Sequence, residues 1–161
     1  MISKEYFHEH FEYKNGNLYS KKRLSSNVWE GKKVGKPRKP DGYCNVTLNG
    51  VRYYVHRIIF MMFHGYMPKQ IDHIDGNTSN NKIENLRETN YTTNNYNKKI
   101  MTNNKSGIKG VNWHKGGKKW RVEVCVNKKN MYLGLYKDLE LAELVAIEAR
   151  NKYHGEFARH Q

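Results

Sequence analysis

Residues 70–99, "QIDHIDGNTSNNKIENLRETNYTTNNYNKK", gather the side chains of this chain that suit hydrolytic chemistry. His73 lies between Asp72 and Asp75, and Asn77, Asn81, Asn85 and Asn94 follow it. Histidine has the ordinary pKa for a proton acceptor near neutral pH. Carboxylate and carboxamide oxygens suit a hard divalent cation such as Mg2+. A base that activates water, and a cation that stabilises charge on the phosphate and the leaving oxygen, are the two requirements for hydrolysing a phosphodiester.

Such groups work only where a scaffold holds them. Ile71 and Ile74 bracket the Asp72-His73 pair, which reads as the end of a strand whose neighbouring side chains point to opposite faces. Asp75-Gly76 is a turn signal, and "IENL" resumes an apolar pair at Ile83 and Leu86. From Thr89 onward "TNYTTNNYNKKI" is predicted to form a helix capped by Thr89 or Asn90, returning Asn94 to the first strand. This pattern is a ββα unit. Upstream, "VHRIIFMMFHGYM" is spaced for a short buried helix or a strand-to-helix passage, ended by Gly65 and Pro68. Taken singly, His56 and His64 at its two ends read as hydrogen-bonded structural residues.

Before that helix, Asn15-Gly16 and Asn49-Gly50 each sit between strand-forming runs, so two hairpins are predicted. The segment joining them, "SKKRLSSNVWEGKKVGKPRKPDG", reads as a basic surface loop, either solvated or in contact with phosphate.

Composition sets the limits. At 161 residues and 37% apolar content the chain has no large core, and a formal charge of +14 with a pI near 9.7 points to a polyanionic partner. Aromatic residues make up 12% of the chain, which argues against a disordered basic tail. Cys44 and Cys125 form no CxxC pair, and no apolar run approaches a membrane span. A soluble protein of a reducing cytoplasm, with no membrane association, is the expectation.

Beyond the connector "KKIMTNNKSG" come three strand-like runs, "IKGVNWHK", "KWRVEVCVN" and "MYLGLY", and the helix "DLELAELVAIEARNKYHG". In the second run Trp120, Val122, Val124 and Val126 alternate with Arg121, Glu123 and Cys125. The helix carries an Asp138 cap and an apolar stripe of Ala142, Val145, Ala146, Ala149 and Tyr153, which is predicted to cover the valine face and leave the other face open. Residues 98–129 hold ten lysines or arginines against one acidic residue, Glu123. That is an electrostatic footprint for nucleic acid.

The pieces "HR", "DHIDGN", "NNKIENL" and Asn94-x-x-Asn97, in that order over about residues 55–98, resemble the HNH nuclease family of phage-borne free-standing and intron-encoded homing endonucleases. The resemblance implies His73 as general base and Asp72 as a ligand of one Mg2+, with Mn2+ as a substitute. It further implies Asn85 as the residue that braces the loop and orients His73, and Asn94 as the second metal ligand. Arg57 or Arg87 is a candidate for steadying phosphate. "SGIKGVNWHKGGKKWRVEV", "LGLY" and "KYHGEFA" resemble the Apetala/ethylene-response-factor type of DNA-binding domain. That likeness implies DNA contacts at Lys109, Asn112, His114, Arg121, Glu123, Asn130 and Tyr132.

The expected architecture is α+β: N-terminal β-hairpins leading into a ββα-metal nuclease unit, then a three-stranded antiparallel sheet packed on one helix. The expected domains are 1–98 for the nuclease, 99–106 for a basic linker and 107–161 for the DNA-binding domain. Together these describe a metal-dependent double-stranded DNA endonuclease, encoded by a phage or mobile element, acting as a monomer with no obligate protein partner and either nicking or cutting both strands. The alternatives are a DNA-binding or regulatory protein with a vestigial nuclease fold, and an RNA-binding module.

Overall fold

A computed structural model of the chain describes residues 3–39 and 41–160; Pro40 of the basic loop, the first two residues and Gln161, which closes the expected 107–161 domain, lie outside them. The chain forms two compact units, residues 1–90 and 91–161. The fold is α+β, with several small antiparallel sheets and four helices among the described residues.

In the first unit, helix α1 (Lys4–His10) starts at Ser3, whose hydroxyl accepts from the Tyr6 amide. Strands β1 (Phe11–Lys14) and β2 (Asn17–Ser20) form the first hairpin. Asn15 and Gly16 at its tip have φ of 46° and 80°, the left-handed pair that a two-residue turn requires. The second hairpin joins β5 (Cys44–Leu48) to β6 (Val51–Tyr54) through Asn49-Gly50. The intervening segment is more than a loop. It supplies β3 (Lys33–Val34) to the first hairpin and β4 (Lys36–Pro37) to the second, making each a three-stranded sheet. Two-residue strands carry no alternation, which is why the sequence shows none.

Helix α2 (Val55–His64) follows directly from β6, with Val55, His56 and the five residues Ile58 to Met62 all buried. It is the centre of the core, flanked by Phe7, Phe11, Leu18, Val46 and Leu48. Fully burying side chains of this size contributes about 1.5–3 kcal/mol each. Gly65, at φ 77°, ends the helix with its amide bonded to the Met61 carbonyl. The hairpin of β7 (Gln70–His73) and β8 (Leu86–Thr89) follows, with Asp72 opposite Arg87 and His73 opposite Leu86.

The second unit opens with the short helix α3 (Tyr91–Tyr96). Its sheet has the order β11 (Lys129–Tyr136), β10 (Lys119–Val126), β9 (Val111–His114), covered on one side by α4 (Leu139–His154). Asp138 caps α4 through the Leu141 amide. The covering stripe differs from the expected one: Ala142, Ala146 and Ala149 are buried, but so are Arg150 and His154, while Tyr153 is exposed. Spacing of four residues puts 142, 146, 150 and 154 on one line of the helix. Val111 and Val122 are wholly buried beneath it, and Trp120 packs against the same cluster.

Candidate active site and nucleic-acid face

Pairing between β7 and β8 decides what Asp72 meets. Arg87 stands opposite it, and the guanidinium Nε and Nη2 donate to Asp72 Oδ2 at 3.0 and 2.8 Å, with both side chains nearly buried. His73, the next residue, points the other way. Its Nε2 lies 3.0 Å from Asn81 Oδ1, and both residues are buried. A carboxamide oxygen only accepts, so Nε2 is the donor in this bond, and in the neutral ring Nδ1 is the acceptor.

The loop between the strands is closed by reciprocal bonds. Asn85 Oδ1 accepts from the Asp75 amide, and Asn85 Nδ2 donates to Asp75 Oδ1 and to the Asn80 carbonyl. Asn80 Nδ2 donates to Asp75 Oδ2, and the Asn77 amide donates to Oδ1. Burial pushes the Asp75 carboxyl up, but these bonds outweigh it and hold the group below the usual carboxylate range. Thus Asn85 fastens the loop, and Asn81 is the residue bonded to His73. Outer contacts hold the loop to the hairpins: Thr78 and Ser79 hydroxyls donate to the carbonyls of Asp41 and Gly42, and the Ile83 amide donates to Tyr13 Oη.

A ring wall stands beside the base. His56 approaches His73 edge-on at 5.2 Å between centroids, and Tyr43 lies 5.9 Å from His73. Tyr54 stacks on His56 at 5.5 Å. Burial, with His73 and Arg57 beside it, pushes the His56 pKa down to about 3, so its ring is neutral. Arg57 donates to the Pro68 carbonyl at 3.0 Å, tying α2 to the segment ahead of β7. Neither His56 nor Asn81 was distinguishable by spacing from its neighbours; the "HR" dipeptide was the available signal for the former.

The donor set indicates what ion fits. Among the described residues no group of three or more His, Cys, Asp or Glu could hold a metal. A closed zinc-type cage is therefore not what these residues build. The carboxylate oxygens of Asp72 suit a hard cation that keeps waters and shares phosphate oxygens. Asn94, expected as the partner of Asp72, lies on α3 in the second unit.

Residues 53–96 match a family model described as HNH endonuclease. Over 108 residues the chain is 36% identical to Protein 3.8 of Escherichia phage T7, an alignment covering 65% of this chain and 87% of that protein. The chain belongs to the family of this phage protein and carries an HNH endonuclease domain. No solved structure matches it. At the level of the HNH family this is a metal-dependent nuclease, with nucleic acid as its substrate. No helix among the described residues is long and apolar enough to cross a membrane.

Beyond the HNH domain, the register of the second unit sorts the expected contact residues. Arg121 stands opposite Asn112, Glu123 opposite Tyr132 and Cys125 opposite Asn130, so all six share the face turned away from buried Val122 and Val124. Arg121 pairs with Glu123 and lies 5.7 Å from the Tyr132 ring centroid. His114, on the same face of β9, accepts from the Gly117 amide at 2.9 Å. Lys109 is turned elsewhere, and its Nζ donates to the Tyr96 and Lys98 carbonyls, each at 2.6 Å, at the end of α3. Burial, with Arg150 and Arg159 nearby, pushes its pKa down to about 8.

Proposed function

We propose that this chain is a DNA endonuclease of the phage homing type that hydrolyses a phosphodiester with His73 as general base and Mg2+, or Mn2+ in its place, with Asp72 as its ligand on the first unit. The observation that carries this reading is the Asn81–His73 bond, which leaves Nδ1 as the proton-accepting nitrogen. A bound divalent ion would supply charge stabilisation at the phosphate and the leaving oxygen. His73 Nδ1 takes the proton of the attacking water, and a positioned base of this kind contributes about 10²–10⁴-fold. Asn81 holds the imidazole, and Asn85 holds the loop that carries Asn81. Arg87 holds the Asp72 carboxylate in place through Nε and Nη2.

The open face bearing Asn112, His114, Arg121, Glu123, Asn130 and Tyr132 supports double-stranded DNA as the substrate, because a small sheet with a polar face fits the major groove. In this proposal 1–98 is the nuclease domain, 99–106 the linker and 107–161 a DNA-binding domain of the Apetala/ethylene-response-factor type. The protein works as a monomer in the cytoplasm of a phage-infected bacterium. Incubating a supercoiled plasmid with the full chain and Mg2+ tests the reading: conversion to nicked or linear DNA is expected. One observation favours a second reading, a DNA-binding protein that no longer cuts: the Asp72 carboxylate is already engaged by Arg87. In that case the plasmid stays intact while duplex binding persists.

A further inference from the structure

The second unit holds a buried positive charge with no counter-ion among the described residues. Arg150 is only 2% exposed, yet no carboxylate pairs with it among the described residues. Its Nη1 donates to the Lys109 carbonyl and its Nε to His160 Nδ1, while Nη2 has no partner. One turn further along α4, His154 is 8% exposed; its Nε2 bonds the Cys125 carbonyl at 2.8 Å, and its Nδ1 has no partner. An uncompensated guanidinium in the interior costs several kcal/mol, so the arrangement is stable only if something offsets it.

Strand lengths explain why a cavity forms here. β9 pairs only with residues 119–122 of β10, which leaves the edge of β10 beyond Glu123 without a neighbouring strand. Arg150 and His154 reach that edge from α4 and satisfy the carbonyls of Lys109 and Cys125. A cavity of about 270 Å³ remains, lined by these two residues together with Lys109, Lys128 and Tyr96. Tyr96 closes one side by stacking on His154, with ring centroids 3.8 Å apart and planes 7° from parallel. Glu123 is the one carboxylate in the lining, and Arg121 already engages it. Asn112 and Asn130 line the cavity as well, so it borders the open face of the sheet.

We infer that this cavity is an anion site that takes a phosphate group, with Arg150 as its central donor. Lys109, Lys128 and the two asparagines supply further donors. His154 Nδ1 pairs with a hydroxyl of the anion or with a proton taken up alongside it. The ligand is either a backbone phosphate of bound nucleic acid or free phosphate; both offer anionic non-bridging oxygens to Arg150, and only free phosphate offers His154 a hydroxyl.

The test titrates the full chain with inorganic phosphate against chloride at equal ionic strength, following by NMR the Arg150 side-chain nitrogen signals in the unmodified chain and the Cys125 and Asn130 backbone amide signals in every variant. Expected is a saturable shift of those signals with phosphate and none with chloride, and about ten- to hundredfold weaker phosphate binding in Arg150→Gln, the scale of one lost charged hydrogen bond. If Arg150→Gln does not fold, Lys128→Gln serves instead, with a smaller loss in the same direction. Adding a saturating short duplex separates the two sources. A phosphate response abolished by the duplex assigns the site to the nucleic-acid backbone, and one that persists assigns it to free phosphate. Arg150 signals that do not move with phosphate, or that move equally with chloride, overturn the site. The plasmid assay is unaffected by that outcome, since neither residue belongs to the proposed cutting machinery.

Discussion

At the residue scale, the site depends on which amide meets which ring. Asn81→Ala removes the acceptor that fixes the His73 tautomer, and kcat for plasmid cleavage is expected to fall about ten- to hundredfold, with duplex affinity by electrophoretic shift unchanged. Arg87→Met takes the facing guanidinium from a carboxylate that is almost fully buried, and a loss of about 3–5 kcal/mol is expected. Urea denaturation measures it, with Arg87→Lys falling between the two. Asp72 and His73 were legible in the sequence because adjacent strand residues necessarily face opposite ways. The Asn81 contact was not, since Asn81 and Asn85 lie in one loop and only its closure through Asp75 decides which reaches the ring. Arg87 was readable as a phosphate candidate but its pairing with Asp72 was not, because that depends on a strand register that spacing alone leaves undetermined.

At the element scale, the first hairpin does more than cover the core. Gly16 sits at φ 80°, and a Cβ there would lie 2.8 Å from the Lys82 backbone nitrogen, next to the residue that holds His73. Gly16→Ala is therefore expected to cost about 1–3 kcal/mol from backbone strain and to lower cleavage by displacing the 81–82 backbone; thermal melting and the plasmid assay read the two effects separately. Both hairpins were legible because Asn-Gly tolerates positive φ in both turn residues. Helix α1 was not, since "KEYFHEH" is short and aromatic enough to resemble a strand and only the Ser3 cap marks its start. On α4 the alanines were readable, but Arg150 and His154 stand outside the apolar stripe that spacing marks, and carbonyls of Lys109 and Cys125 draw them inside.

At the scale of the whole molecule, charge and protonation link stability to conditions. His56, His154 and His160 all have pKa values lowered mainly by burial, His56 to about 3. As pH falls below their ordinary value of about 6.5, the unfolded chain binds protons that the folded chain refuses, so stability declines with acidification. For His56 the decline runs from about pH 6.5 down to about 3. Melting temperatures measured between pH 7 and pH 4.5 are expected to fall steadily, and His56→Phe is expected to flatten part of that slope. The net charge of +14 was readable from composition and pointed to nucleic acid at once. Composition could not reveal that Lys109 is held at the end of α3. The central claim, that His73 is the base of a DNA-cutting site, is tested most directly by plasmid cleavage with Mg2+ in the unmodified chain and in His73→Ala, with the ends mapped on both strands. Cleavage by the unmodified chain and a loss of about 10²-fold or more in the variant, with duplex binding retained, is the predicted result. Equal cleavage by both proteins, or none by either, would contradict it.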